Sequence, residues 1–320
     1  MTLLVTGAMG HVGYEIVRQA AQRGMPVIAL YRGTFDEARA GAVGASVRWL
    51  QCDLADTQAV QALADAHRVD ACIHAAAVSN EAYAWPAPLL AVAGNVGATA
   101  NLLESARTKS WRRFLLVSTG SVFQLRADTR SAILEDEATA PANVYSTTKV
   151  CAEQLTRMYR IEYGLSASTV RISWVYGPPV ISDQPTRGPI PSYLLRALRG
   201  EAIREGGADF AASFTFVGDV AEGLLAAASA PELRFANYHL GPGVNLTVGQ
   251  VAAAVQKAVP GAVFELGPGT EPWTRYTSIR GPLTGDKLRS DTGYAPTHSL
   301  DAGVRAYADW MRANPAAWRT

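Results

Sequence analysis

Thr6-Gly7-Ala8-Met9-Gly10-His11-Val12-Gly13 follows the apolar run Leu3-Leu4-Val5 and leads into a pattern with Val12, Ile16, Val17 and Ala20 on one helical face. A strand that turns through glycines into a helix is the context in which a dinucleotide diphosphate meets a helix N-terminus. Gly7 permits the tight turn, Gly10 lets backbone approach a pyrophosphate, and Gly13 lets the helix lie close to the sheet. The spacing is G-x-x-G-x-x-G, a departure from G-x-G-x-x-G. By itself the loop also fits a βα turn that binds no dinucleotide.

Outward from this loop, short β-rich runs alternate with helical segments, the pattern of a parallel sheet covered on both faces. Strands are expected at Leu3–Thr6, Val27–Tyr31, Val47–Gln51, Ala71–Ala75, Phe114–Ser118 and Ser168–Ile172. Helices are expected at His11–Arg23, Asp56–His67 and around Asn143–Tyr163. Leu89–Thr108 reads as one long helix, apolar almost all the way round. Such a helix calls for burial on more than one side, against the sheet and a second subunit, and so suggests a homodimer. After Val175 the texture changes. Tyr176–Pro191 is rich in proline and glycine and reads as an ordered loop, followed by helices at Val217–Ala230, Val248–Ala258 and Leu300–Arg312. The expected fold class is α/β, a doubly wound Rossmann-type parallel sheet. It spans residues 1–175, with 214–244 returning to it, and 176–213 and 245–320 form a smaller C-terminal substrate-binding lobe.

With 29 basic and 28 acidic residues, the formal net charge is +1, so there is no bulk electrostatic footprint for nucleic acid or an acidic membrane. No apolar run approaches the roughly 20 residues of a spanning helix. The N-terminus lacks a basic region and runs straight into the glycine loop, so the expected location is cytoplasmic. Cys52, Cys72 and Cys151 have no metal-ligand spacing, and no metal is expected.

Tyr145 and Lys149, in N-V-Y-S-T-T-K, stand four residues apart and share one face of a helix. An ammonium group one turn from a phenol can favour its phenolate. Beside a glycine loop, that pair describes proton transfer next to a bound nicotinamide.

With these motifs in place, the chain resembles the extended short-chain dehydrogenase/reductase family, NAD(P)-dependent epimerases and dehydratases that include UDP-galactose 4-epimerase and the dihydroflavonol reductases. Beyond the glycine loop and Y-S-T-T-K, the resemblance rests on Asp53-Leu54, I-H-A-A-A at Ile73–Ala77, N-V-G-A-T-A-N-L-L at Asn95–Leu103, S-T-G-S-V-F at Ser118–Phe123 and V-Y-G-P-P at Val175–Pro179. It implies that Tyr145 is the catalytic acid/base. Lys149 would bond the nicotinamide ribose and lower the phenol from its reference of about 10. Thr119 would bind the substrate oxygen, Asp53 the adenine amino group, and Leu54 would pack near the ring. Ala75, Ala76, Ala77, Asn95 and Tyr176 fall in the cofactor-binding segments, as do His11 and Val12 of the loop. Asn95 either satisfies a buried backbone group or orders the active site. The His11 side chain is expected to point to solvent.

The end of the second strand bears on the coenzyme. An acid there would accept hydrogen bonds from the adenosine 2′-hydroxyl and repel a 2′-phosphate. The chain has Tyr31-Arg32 instead, and no acid until Asp36. Arg32 can pair with a phosphate, so NADP is expected over NAD.

Two departures bear on the reaction. Dehydratases of the family carry an Asp-Glu pair after the catalytic threonine, and related decarboxylases a glutamate; here Gly120-Ser121 follow Thr119. Trp174 stands where nucleotide-sugar epimerases have an asparagine. Candidate substrate residues are Ser79, Tyr83, Trp85, Gly120, Ser121, Trp174, Arg187 and Arg275. Tyr83 and Trp85 would form an apolar wall, and Arg187, Arg275 and Arg280 could clamp an anionic substrate.

The expected function is an NAD(P)-dependent oxidoreductase acting on a secondary alcohol or ketone of a sugar-like or other small polar molecule. The first alternative is a sugar epimerase working through a transient ketone. A non-catalytic dinucleotide-sensing regulator is the lesser one.

Overall fold

The computed structural model describes residues 1–274 and 277–318. Six strands build the first half: β1 (Leu3–Thr6), β2 (Val27–Tyr31), β3 (Val47–Gln51), β4 (Ala71–His74), β5 (Arg113–Thr119) and β6 (Ala167–Ile172). With the late strand Asn237–Leu240 they form one seven-stranded sheet. Its order is Asn237–Leu240, β6, β5, β4, β1, β2, β3, and every pairing is parallel. Leu3, Leu4 and Val5 are all fully buried, because helices cover both faces and leave no polar side for alternation. The strand order reverses between β1 and β4, which opens a crevice at their carboxyl ends, where open α/β sheets bind ligands.

A second core lies beyond the sheet. It gathers Ile190, Tyr193, Leu194, Phe210, Val251, Val255 and Tyr307 from segments after residue 175. Trp273 joins it by edge contacts with Phe210 (ring centroids 4.7 Å) and Trp174 (5.0 Å). The short strand β7 (Trp174–Tyr176) pairs in parallel with Phe214–Phe216 and carries the chain between the two cores.

Four elements depart from the sequence expectation. Leu89–Thr108 is not one uniform helix: Pro88–Val92 and Ala98–Thr108 flank a π-helical turn at Ala93–Gly97, where the buried Asn95 sits. Its N-terminal part is not buried on several sides, since Leu89 is 84% exposed. The expected loop Tyr176–Pro191 ends in a helical turn, Pro185–Arg187, and in the start of helix Pro189–Leu198. Proline at the first helical position, which lowered the helix expectation, is pre-organised for a helix start. Short helices at Glu37–Val43 and Asp286–Thr292 went unforeseen. No helix among the described residues is long and apolar enough to cross a membrane.

Candidate active site

The glycine loop is built by steric necessity. Gly7 has φ +65°, and a Cβ there would lie 2.8 Å from the Ala76 Cα on the neighbouring β4 end. A Cβ on Gly13 would lie 2.2 Å from the Gly7 carbonyl oxygen, so only glycine lets the helix His11–Gln22 start this close to the turn. Gly10 is the helix N-cap and offers no capping side chain, so the positive end of the helix is left for a ligand. Gly7, Gly10, His11, Val12 and Gly13 all line a cleft of about 580 Å³ at the carboxyl ends of the strands. The loop and cleft fit a dinucleotide diphosphate. His11 does not point to solvent: its Nε2–H donates to the Gly177 carbonyl at 2.9 Å and links the loop to the segment after β7. Burial holds its imidazole down to about 4, against the Gly177 hydrogen bond, so it is neutral.

One end of the cleft is lined by Tyr31, Arg32, Asp53 and Leu54. Arg32 is exposed, and its carbonyl accepts from Gln51 Nε2 at 2.9 Å. Asp53 Oδ1 accepts from Ala55 N at 3.0 Å, while the following helix is capped by Asp56. Asp53 is therefore not the cap.

Ala75, Ala76, Ala77 and Ser79 line the middle of the cleft. Thr6 Oγ1 accepts from Ala76 N at 3.0 Å and pairs with His74 Nδ1 at 2.7 Å. Asn95 does not reach the cleft. Fully buried in the π-helical turn, it accepts from Val78 N at 2.7 Å and donates to Val78 O (3.2 Å) and Thr148 Oγ1 (2.9 Å). Of its two readings the backbone-satisfying one describes these bonds, and they also tie the Val78 loop to the helix of Tyr145.

At the other end stand Thr119, Ser121, Tyr145, Lys149, Trp174 and Arg187. Asn143 caps helix Val144–Tyr163 in a reciprocal capping box with Ser146, which fixes Tyr145 in the first turn. The buried Glu81 receives the Tyr145 backbone N–H at 3.0 Å. Sequence reasoning missed Glu81; its only local signal was an acid after the potential cap Asn80. Burial pushes the Tyr145 phenol up to about 12, against a hydrogen bond from Thr119 and the charge of Arg280. Burial draws Lys149 down to about 8, opposed by Glu153. Its Nζ donates to the Val117 carbonyl at 2.8 Å. The cation named as opposing the rise of the phenol is Arg280. Below this end, Glu153 pairs with Arg171 at 2.8 Å and accepts from Ser118 Oγ at 2.5 Å.

Several expected contributors lie elsewhere. Tyr176 is a core residue packed against Phe216 and Gly303 and does not line the cleft. Tyr83 and Trp85 are 49% and 64% exposed and line no cleft wall, because the short helix Glu81–Ala84 turns Glu81 and Ala84 inward instead. Gly120 is buried beneath Arg280 rather than lining the cleft. Arg275 lies outside the described residues. A small recess of about 60 Å³ adjoins Tyr145, lined by Asn80, Glu81, Ser121, Gln124, Asn143 and Arg280 among others.

Residues 3–241 match the NAD dependent epimerase/dehydratase family. The dTDP-glucose 4,6-dehydratase of Xanthomonas campestris pv. campestris (strain B100) is 27% identical, covering 98% of this chain and 93% of that protein. UDP-glucuronate 4-epimerase 1 of Arabidopsis thaliana is 26% identical, covering 97% and 76%. Among solved structures, the Thermus thermophilus UDP-glucose 4-epimerase complex with NAD superposes with TM-score 0.79 at 25% identity, covering 98% and 99%. The Thermotoga maritima UDP-glucose 4-epimerase with UDP-glucose has TM-score 0.84 at 22% identity, covering 98% and 100%, a likeness of fold.

Proposed function

The chain belongs to the NAD dependent epimerase/dehydratase family, an extended short-chain dehydrogenase/reductase, and from that premise we propose that it oxidises and re-reduces a secondary alcohol of a nucleotide-linked or similar sugar. The observation that carries this is that Thr119, Tyr145 and Lys149 line the same cleft as the glycine cradle. A bound nicotinamide would supply the hydride acceptor. Gly7, Gly10 and Gly13 would hold its diphosphate, Asp53 and Leu54 its adenine, and Lys149 its ribose. Thr119 would orient the substrate hydroxyl toward Tyr145, which takes the proton on oxidation and returns it on reduction.

Epimerisation is the form of this reaction that the site favours over elimination. Elimination of water needs an acid beside the reacting carbon. The two positions after Thr119 are Gly120 and Ser121, and an arginine lies over the glycine. The relatives that span nearly the whole chain are consistent with a sugar substrate. For the coenzyme, exposed Arg32 at the cleft edge, with no carboxylate at the end of β2, supports NADP over NAD.

The sheet with residues 214–244 would form the coenzyme domain, and 176–213 with 245–320 the substrate lobe. The exposed Leu89, Leu90 and Val92 support a homodimer, in which a second copy covers this helix. The test of function is incubation of the coenzyme-loaded protein with UDP-glucose and UDP-glucuronate. Interconversion of the 4-epimers supports the proposal. Release of a 4-keto-6-deoxy sugar, or no conversion of either, contradicts it.

A further inference from the structure

We propose that Arg280 is a positioning residue for proton transfer: its guanidinium, delivered by the loop after Gly267, favours release of the proton from the Tyr145 hydroxyl. This rests on the reading of Tyr145 as acid/base and adds a group from a different part of the chain.

The placement of Arg280 is over-determined. A Cβ on Gly120 would meet Arg280 Nε at 3.3 Å and Nη2 at 3.4 Å, so the guanidinium lies on the bare backbone next to Thr119. Tyr145 and Arg280 line both the main cleft and the recess beside it. The loop itself is pinned. Asn245 Nδ2 donates to the Arg280 carbonyl at 2.7 Å, and a Cβ on Gly281 would lie 1.8 Å from the Ser131 carbonyl oxygen. Ile133 N donates to the Pro282 carbonyl at 2.8 Å.

No carboxylate among the described residues forms an ion pair with Arg280, and Tyr145 is the group that acts on its charge. Arg280 is partly exposed, and a cation set beside an ionisable hydroxyl without a carboxylate partner is characteristic of functional sites. The other charged groups facing Tyr145 do not substitute for it. Lys149, on the same helix, is committed to the Val117 carbonyl, and Glu81 meets the Tyr145 N–H with a negative charge that opposes a phenolate. The Arg280–Tyr145 interaction runs both ways, lowering the phenol and raising the guanidinium against burial.

The experiment places a ring-fluorinated tyrosine at Tyr145 and follows its ionisation by fluorine NMR in the coenzyme-loaded protein. Arg280→Gln should raise the midpoint by about one pH unit or more, and Arg280→Lys should recover part of the shift. Arg280→Met keeps the apolar stem and removes the charge, and should shift the midpoint in the same direction; it carries the test if Arg280→Gln does not fold. An unchanged midpoint in Arg280→Gln or Arg280→Met, even with a lowered melting temperature, overturns the proposal. The titration needs neither substrate nor turnover, so it is decided independently of whether sugars are epimerised.

Discussion

Lys149 Nζ donates to the Val117 carbonyl at 2.8 Å, reaching from the helix of Tyr145 back to strand β5 two residues before Thr119. The ammonium is buried beside the cleft and drawn down to about 8, with Glu153 one helical turn further on as its opposing charge. It lines the cleft, while the phenol of Tyr145 has Thr119 and Arg280 as neighbours.

Replacing Lys149 by Met keeps the length of the side chain and removes the buried charge. Coenzyme affinity should fall about tenfold, the cost of one hydrogen bond to a charged group. The melting temperature should stay level or rise, because desolvation of the ammonium is relieved. Calorimetric titration and a thermal melt check both; unaltered coenzyme affinity contradicts the assignment.

Arg32 should discriminate between coenzymes. Wild-type protein is expected to bind NADP more tightly than NAD, and Arg32→Gln should cost NADP about tenfold while leaving NAD nearly unchanged. Dissociation constants for both nucleotides decide it, and tighter binding of NAD by wild type removes the NADP preference.

The buried histidines set an acid limit on stability. Burial lowers His74 from 6.5 to about 3, with a smaller contribution from Lys149, and burial likewise lowers His11 to about 4. Between these values and 6.5 the unfolded chain binds protons that the folded chain refuses. Stability should therefore fall as pH drops below 6.5 and recover as it rises. His74→Asn should flatten that limb in denaturant titrations run across the window; an equally steep limb in the variant contradicts the prediction.

Leu89 is the most exposed large apolar side chain of its helix. If a second copy covers it, light scattering should give twice the chain mass, and Leu89→Asp should shift the protein toward the monomer. A wild-type monomer at micromolar concentration rules the dimer out.

The parallel sheet was legible because buried strands are continuous apolar runs and the glycine loop admits no other residue at Gly7 and Gly13. Tyr145, Lys149 and Thr119 were legible as types at fixed spacing, and the fold brings them to one end of the cleft. Other features depended on long-range packing that no local pattern encodes. His11 reaches Gly177 across 166 residues, and Arg280 reaches Gly120 from a loop that had no periodicity to read. Tyr83 and Trp85 failed for the converse reason: aromatic residues near a strand end suggest a wall, yet a four-residue helix turns them outward. Tyr176 was placed by motif, and packing in the second core against Phe216 buries it.

In the proposed reaction Tyr145 moves the proton while a sugar carbon gives up its hydride. Rapid mixing of coenzyme-loaded protein with UDP-glucose, followed by the near-ultraviolet absorbance of reduced nicotinamide, tests it directly. A transient rise is expected in wild type, and in Tyr145→Phe a rate lower by about 10²- to 10⁴-fold with coenzyme binding intact. A Tyr145→Phe variant that reduces its coenzyme at the wild-type rate contradicts it.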